Sequence, residues 1–150
     1  MARLLSEEDR RRVVDAIGNA ESRSRGEVRI HVERRCPGKD PVARAAIVFE
    51  RLGMTRTALR NGVLVYVAAD DKLFAIVGDQ GIDEKVGADF WRGIADGMGA
   101  RFATGAFAAG LIEAIGRVGD ALAAHFPAAP DRQDVDELAD DISFGDEPVE

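Results

Sequence analysis

The sequence predicts an α/β fold, a three-layer α/β/α sandwich built on a small mixed β-sheet. Residues 27–33 alternate between polar and apolar side chains, which is typical of a strand with one buried face. Residues 63–69 and 73–77 are almost wholly apolar, as in strands that are covered on both faces. One helical segment separates the first strand from the second, so these two strands should be parallel and joined by a right-handed crossover.

Four segments have the spacing of amphipathic helices and place helical layers on the sheet. The first runs from the N-cap Ser6, which acids follow, to about Ala20. The second begins at the N-cap Asp40, which a proline follows. Two further helices are predicted over residues 86–98 and 107–122. The predicted order of elements is therefore α-β-α-β-β-α-α.

Polarity also predicts where the strands lie. The alternating strand is expected near a sheet edge or under thin cover, with His31 on its solvated face. The two apolar strands are expected at the centre of the sheet. Asp70-Asp71 should join them as a tight, solvated turn.

Length and composition indicate a single domain of soluble, cytoplasmic character. A chain of 150 residues can bury roughly 68–70% of its unfolded surface. The single cysteine, Cys36, excludes an internal disulfide and a cysteine-rich zinc site. The N-terminal segment has no apolar signal region, and no apolar run approaches the roughly 20 residues of a membrane span.

Charge divides the chain into a body and a tail. Residues 131–150 contain nine acids and one base, a net charge of −8, so residues 1–130 carry +1 of the total of −7. A nearly neutral body with an acidic tail argues against nucleic acid as a partner. We expect a folded domain over residues 1–127 and an acidic tail over 128–150. The tail is either disordered or docked on the body through Leu138, Ile142 and Phe144.

Strand direction brings polar residues of three segments to one end of the predicted sheet. The first strand begins at Glu27, the second begins beside Asn61, and the antiparallel third ends beside Asp79. Neighbouring strands lie roughly 4.8 Å apart, so these three residues can share one cation if the parallel strands are adjacent. Oxygen ligands of this kind suit calcium or magnesium rather than zinc or iron.

The same residues have a purely structural interpretation. Asn61 and Asp79 stand next to glycines, where turn residues commonly cap backbone groups. Arg60 precedes Asn61 and is a candidate for binding a phosphate group. Asp70-Asp71 lies at the opposite end of the strands, roughly 30 Å away, and cannot join the same site. The sequence contains no P-loop, nucleophile elbow, HExxH or GxGxxG pattern.

Four segments in the same order resemble the TPM domain family, the phosphatase-like domain known from a thylakoid-lumen protein. They are GEVRIHV (26–32), RNGVLVYV (60–67), FAIVGDQGI (74–82) and the stretch from FAAGL (107–111) to HFP (125–127). The resemblance extends over roughly residues 5–127. The tail from residue 136 to 144 also resembles the ending of short free-standing members.

The resemblance implies an α/β/α sandwich that binds Ca²⁺ or Mg²⁺ in acidic loops at one end of the sheet. Glu27, Asn61 and Asp79 match the polar positions of the three strand motifs. Plant members are described as acid phosphatases, and other members as adaptor or repair-associated domains. Many members have a signal peptide and a membrane anchor, and neither is found in this sequence. Two acids are a thin ligand set for calcium, which takes roughly six to eight oxygens.

Two functions from different classes follow. The first is metal-dependent hydrolysis of a phosphate-containing substrate, with the cation polarising a phosphoryl oxygen and Arg60 pairing with the phosphate. The second is a non-catalytic module whose loops are ordered by the cation and which binds a protein partner. In that case the acidic tail either masks the binding surface or recruits a basic partner. No catalytic nucleophile or acid is identified in the sequence.

Overall fold

The structure, a computed structural model, describes residues 5–128 and 142–144. Within these residues the chain forms five helices, four strands and two short 3-10 turns. In chain order they are α1 (Glu7–Ser22), β1 (Glu27–Glu33), a 3-10 turn (Pro37–Lys39), α2 (Pro41–Arg51), a 3-10 turn (Met54–Arg56), β2 (Gly62–Ala68), β3 (Leu73–Gly78), α3 (Gln80–Val86), α4 (Ala88–Ala103), α5 (Phe107–His125) and β4 (Ile142–Phe144).

The four described strands form one mixed sheet in the order β3-β2-β1-β4. β1 runs parallel to β2, with Glu27 opposite Gly62, and the two are adjacent as predicted. β3 turns back antiparallel to β2, and β4 adds to the other side of β1 in parallel. The α/β class and the parallel first pair are therefore confirmed.

Helices cover both faces of the sheet, which makes the fold an α/β/α sandwich. On one face lies the larger core, to which α1, α4 and α5 contribute Val13, Ile17, Ile94, Met98, Leu111, Ile115 and Leu122. On the other face a smaller core packs α2 and the 3-10 turn after it against β2 through Ala45, Val48, Phe49, Met54, Leu64 and Tyr66. Successive side chains of β2 point to opposite faces of the sheet, so the strand contributes to both cores. All seven of its residues are buried.

Side-chain caps begin the first two helices at the residues the sequence predicts. Ser6 accepts a hydrogen bond from the amide of Asp9 at 3.0 Å, and Asp40 accepts one from the amide of Ala43 at 3.1 Å. Each satisfies a backbone N–H that has no partner within its helix. The chain leaves α2 through Gly53, whose φ of 71° lies in the left-handed region that favours glycine.

Three expectations about position are wrong. β3 is an edge strand and is mostly half-buried, because no described strand lies on its outer side. The polar face of β1 is not solvated, since Glu27, His31 and Glu33 are each less than 8% exposed. β4 covers the outer side of β1. Arg44 donates a hydrogen bond to Glu33, and the hydroxyl of Ser143 lies within hydrogen-bond distance of His31. His31 is consequently a buried residue.

Part of the C-terminal tail docks on the body. Ile142 is 4% exposed and belongs to the larger core. This agrees with the second alternative for the tail, in which it docks on the body. Leu138 lies outside the described residues, and of Phe144 the structure gives the backbone pairing with Val32. Within 5–128 and 142–144, no helix has both the length and the apolar character that crossing a membrane requires.

Candidate functional site

The polar residues predicted to converge do lie at one end of the sheet. Glu27 begins β1 opposite Gly62 at the start of β2. Val63 pairs with Gly78 at the end of β3, and the next amide, that of Asp79, donates to the carbonyl of Gly62 at 2.9 Å. This end of the sheet, with Glu27, Arg60, Asn61 and Asp79, is the rim. Glu27 and Asp79 are two strands apart, about 10 Å between backbones.

The carboxylate of Asp79 accepts three hydrogen bonds at the rim. Its Oδ2 accepts from Nε of Arg60 at 2.6 Å, and its Oδ1 accepts from a second guanidinium nitrogen of Arg60 at 2.9 Å. Oδ1 also accepts from the amide of Gln80 at 2.8 Å, at the beginning of α3. The carboxylate is 7% exposed, whereas Arg60 is 38% exposed. The charge of Asp79 is thus neutralised by an arginine that reaches it from solvent.

Asn61 is 1% exposed and is held by one hydrogen bond. Its Nδ2 donates to the carbonyl of Arg25 at 3.0 Å, which ties the start of β2 to the loop before β1. Its Oδ1 is buried and has no hydrogen-bond partner among the residues that the structure describes. A buried amide oxygen in this state costs roughly 1–3 kcal/mol, so it is a ready acceptor for a ligand.

A second acid beside the rim, Glu21, was not predicted. Glu21 lies in the last turn of α1, is 6% exposed, and accepts from the amide of Val28 through Oε2 at 2.9 Å. Glu27 is 4% exposed, so two buried acids meet the start of β1. The signal for Glu21 was its spacing, since it follows Ile17 by four residues and therefore lies on the buried face of the helix.

Glycines let the rim segments approach one another closely. A Cβ on Gly81 would lie 2.2 Å from the carbonyl oxygen of Leu59 and 2.6 Å from that of Arg60. The amide of Gly81 donates to the same Arg60 carbonyl at 2.7 Å. A Cβ on Gly78 would lie 2.3 Å from the ring of Trp91, which therefore packs on the backbone next to Asp79. A side chain at Gly81 would displace the backbone of the rim, and one at Gly78 would displace the ring of Trp91.

The other acidic pair lies at the opposite end of the sheet, as predicted. Asp71 accepts from the amide of Cys36 at 2.7 Å and pairs with Lys39 at 2.7 Å. The hydrogen bond from Lys39 and the one from the Cys36 amide lower the pKa of Asp71. Asp70 pairs with Arg34 at 3.0 Å. These aspartates fasten the β2–β3 turn to the segment after β1.

A buried polar row crosses the face of the sheet that α2 covers. Ser143, His31 and Tyr66 are cross-strand neighbours in β4, β1 and β2. Glu33 accepts two hydrogen bonds from Arg44 at 2.8 and 2.9 Å, and it also accepts the hydroxyl proton of Tyr66. His31 Nδ1 lies 2.8 Å from the Ser143 hydroxyl.

Burial and hydrogen bonding act in opposite directions on the two titrating groups of this row. Burial lowers the pKa of His31. Burial alone would raise the pKa of Glu33, but the hydrogen bonds from Arg44 and Tyr66 outweigh it and hold that pKa below its usual value. Burial and the bond to Glu33 raise the pKa of the Tyr66 phenol. The row is therefore a neutralised ion pair that joins α2 to the sheet.

The side-chain atoms of the rim that could bind a metal ion are all oxygens. A site made only of carboxylate and amide oxygens suits calcium or magnesium better than softer metals. Among the described residues there is no group of three or more histidines, cysteines and acids placed to hold a metal ion. The rim offers instead two carboxylates and one amide oxygen, of which Asp79 already binds Arg60.

A family model matches most of the sequence that forms this sheet. The model is TPM_phosphatase, described as the TPM domain, and it matches residues 1–121. The chain belongs to the TPM domain family. The match covers α1 through most of α5, including Glu27, Arg60, Asn61 and Asp79. No curated protein matches the chain significantly.

Two solved structures have the same fold. The NMR structure of BA42 protein from the psychrophilic bacterium Bizionia argentinensis is 43% identical, with a TM-score of 0.85, and the match covers 94% of this chain and 95% of that one. The N-terminal domain of cg2496 protein from Corynebacterium glutamicum is 13% identical, with a TM-score of 0.63, over 79% of this chain and 74% of that one. The second likeness concerns the fold alone.

Proposed function

We propose that this TPM domain binds a divalent cation, Ca²⁺ or Mg²⁺, at the rim through Glu27, Asn61 and Asp79. The observation that carries the proposal is Asn61 Oδ1, an amide oxygen that is buried yet has no hydrogen-bond partner among the described residues. A hard cation satisfies such an oxygen, and a carboxylate on each side supplies the compensating charge.

Binding requires an exchange of partners at Asp79. Both of its oxygens accept hydrogen bonds from Arg60, and a cation competes with that guanidinium for the same charge. Arg60 is 38% exposed and reaches Asp79 from the surface, so it can leave without opening the core. The ion pair is thus the cation-free form of the rim.

The ligand set fits a weak site. Calcium takes roughly six to eight oxygens, and magnesium keeps several waters of its own. Glu27, Asn61 and Asp79 would supply three ligand residues, and water and backbone carbonyls would complete the shell. We therefore expect modest affinity, with a hard cation favoured over zinc.

Hydrolysis of a phosphate-containing substrate is the second candidate, and one contact favours it. Once released from Asp79, the planar guanidinium of Arg60 would lie at the surface of the rim. It can donate two parallel hydrogen bonds, which suits two oxygens of a phosphate group. Cation and phosphate together would thus replace both halves of one ion pair. A cation at this place would supply charge neutralisation to the phosphoryl group.

Trp91 is a built-in reporter for the cation. It is the single tryptophan of the chain, its ring packs on Gly78, and its Nε1 donates to Asp83 at 2.8 Å. Titration with CaCl₂ or MgCl₂ should change its fluorescence with saturation. Asp79→Asn should abolish the change, whereas Asp120→Asn, which removes an exposed carboxylate on α5, should not.

An assay with an aryl phosphate separates the catalytic from the non-catalytic form. Turnover that needs the cation and is lost in both Arg60→Gln and Asp79→Asn supports a hydrolase. Cation binding without turnover supports the interaction module. The proposal as a whole is contradicted if millimolar Ca²⁺ and Mg²⁺ change neither the Trp91 fluorescence nor the thermal stability of the wild-type protein.

A further inference from the structure

We propose that the outer edge of β1 is a binding site for an extended, acidic peptide in which a serine or threonine follows an apolar residue. Residues 142–144 occupy this site from within the same chain. They act as an intramolecular ligand that a peptide from another protein displaces. The proposal does not depend on the cation at the rim.

The site is formed by the edge of a strand. β4 adds to β1 in parallel, with Ile30, His31 and Val32 opposite Ile142, Ser143 and Phe144. Addition of an extended segment to a sheet edge is a common mode of peptide recognition, in which the backbone supplies affinity and side-chain positions supply specificity. Ile142 supplies the apolar anchor, since it is 4% exposed and packs into the larger core.

Ser143 is the polar element that this edge selects. Its hydroxyl donates to the carbonyl of Ile30 at 3.3 Å and lies 2.8 Å from Nδ1 of His31. A serine hydroxyl can both donate and accept a hydrogen bond, so it can pair with the buried imidazole nitrogen whichever ring nitrogen carries the proton. An alanine at this position would leave the buried Nδ1 of His31 without this hydrogen-bond partner. Only a small hydroxyl side chain, serine or threonine, meets both partners.

Charge favours an acidic partner. The residues flanking the docked segment in the sequence are Asp140, Asp141, Asp146 and Glu147. The docking strand carries Arg29, and Arg35 follows it in the direction in which β4 runs. Opposite charges on the two sides set the orientation and raise the rate of association.

The contact is small enough to exchange. Three residue pairs join β4 to β1, whereas β1 and β2 pair over seven residues. Segments with few buried contacts open with much lower free energy than the core. A tethered segment competes at an effective concentration of roughly millimolar, so a partner peptide replaces it when its own affinity for the edge is higher than that of the segment.

The test uses full-length protein and a fluorescein-labelled peptide with the sequence of residues 138–147, LADDISFGDE. Ile142→Asp in the protein should release its own segment and expose the edge. Anisotropy should then report binding at least tenfold tighter than to the wild type. A peptide with alanine in place of its serine should bind at least fivefold more weakly, and a scrambled peptide should not bind.

Two further measurements keep the result interpretable. Ser143→Pro removes the hydroxyl that contacts His31 and Ile30 and restricts the backbone of β4 while leaving Ile142 unchanged. It should reproduce the gain if Ile142→Asp perturbs folding. Amide NMR shifts should change at residues 30–32 and not at the rim, with or without EDTA. No peptide binding by either variant, with the body folded by circular dichroism, overturns the proposal. A wild-type dimer that Ile142→Asp converts to monomer also overturns it, because a second copy would then be the occupant.

Discussion

Arg60 and Asp79 are 19 residues apart in the sequence and form a two-point ion pair, with Nε 2.6 Å from Oδ2 and the second nitrogen 2.9 Å from Oδ1. The pair joins the segment before β2 to the beginning of α3. It neutralises a carboxylate that is 7% exposed. The carboxylate that the proposed cation would bind is therefore already paired with Arg60. If the proposal holds, cation binding depends on which of the two partners Asp79 prefers.

Replacing Arg60 should strengthen cation binding. Arg60→Gln removes the competing charge, and we expect the affinity for Ca²⁺ to rise roughly five- to tenfold, as for the loss of one nearby like charge. Trp91 fluorescence during a calcium titration measures it. Arg101→Gln, which breaks an exposed pair with Glu113, is the matched control. Weaker binding in Arg60→Gln would mean that the arginine organises the site instead of competing for it.

Replacing Gly81 should destabilise the protein, whereas replacing Gly116 should not. A Cβ on Gly81 would collide with two backbone carbonyl oxygens, and an overpacked site of this kind costs roughly 1–3 kcal/mol. Gly116 in α5 has open space around its Cβ position, so Gly116→Ala should stabilise the protein by up to about 1 kcal/mol. Urea unfolding of Gly81→Ala and Gly116→Ala checks both. Equal stability of the two variants would contradict the close approach.

Stability should fall as the solution becomes acidic, in two stages. The pKa of His31 is lowered by burial, so the unfolded chain binds a proton first, and stability is lost as the pH falls from the usual value of 6.5. The groups around the imidazole are Glu33, Arg44, Arg29 and the Ser143 hydroxyl. The pKa of Glu33 is also lowered, so its contribution is present above 4.5 and is lost below that value.

Unfolding free energies measured from pH 8 to pH 3 test this order. His31→Asn should remove the first stage and leave the second. A wild-type protein whose stability is constant between pH 7 and pH 5 would show that His31 titrates alike in the folded and the unfolded chain.

The hydroxyl of Tyr66 should matter for stability more than an exposed hydrogen bond does. Tyr66 is fully buried and donates to the carboxylate of Glu33. Hydrogen bonds to charged groups contribute roughly 1.5–3 kcal/mol, and Tyr66→Phe should lose about that amount in chemical denaturation. Arg44→Met should cost more, because it leaves the buried Glu33 charge without its main partner. The reverse ranking would mean that Glu33 is protonated in the folded protein.

Strong periodicity made the central parts of the fold predictable. The apolar run of β2 and the alternation of β1 defined both strands to within a residue. Chain direction then placed Glu27, Asn61 and Asp79 at one end, as the register of Glu27 with Gly62 confirms. Composition and direction suffice there because a single parallel crossover leaves few alternatives.

Elements that depend on tertiary contacts escaped prediction. β4 is three residues long and lies within an acidic stretch, so its pairing depends on the edge of β1 and not on local pattern. α3 has one fully buried residue, Ile82, and too few turns to show a period. The pairing of Arg60 with Asp79 depends on the turn into α3, which the sequence did not reveal.

An NMR titration of the wild-type protein with Ca²⁺ and Mg²⁺ tests the central claim most directly. The account predicts saturable shifts of the backbone amides at residues 26–28, 60–62 and 78–81, together with the side-chain amide of Asn61. The same titration of Asp79→Asn should leave these signals unchanged. Shifts confined to Asp70 and Asp71 at the far end of the sheet, or none at millimolar concentrations of either cation, would contradict it.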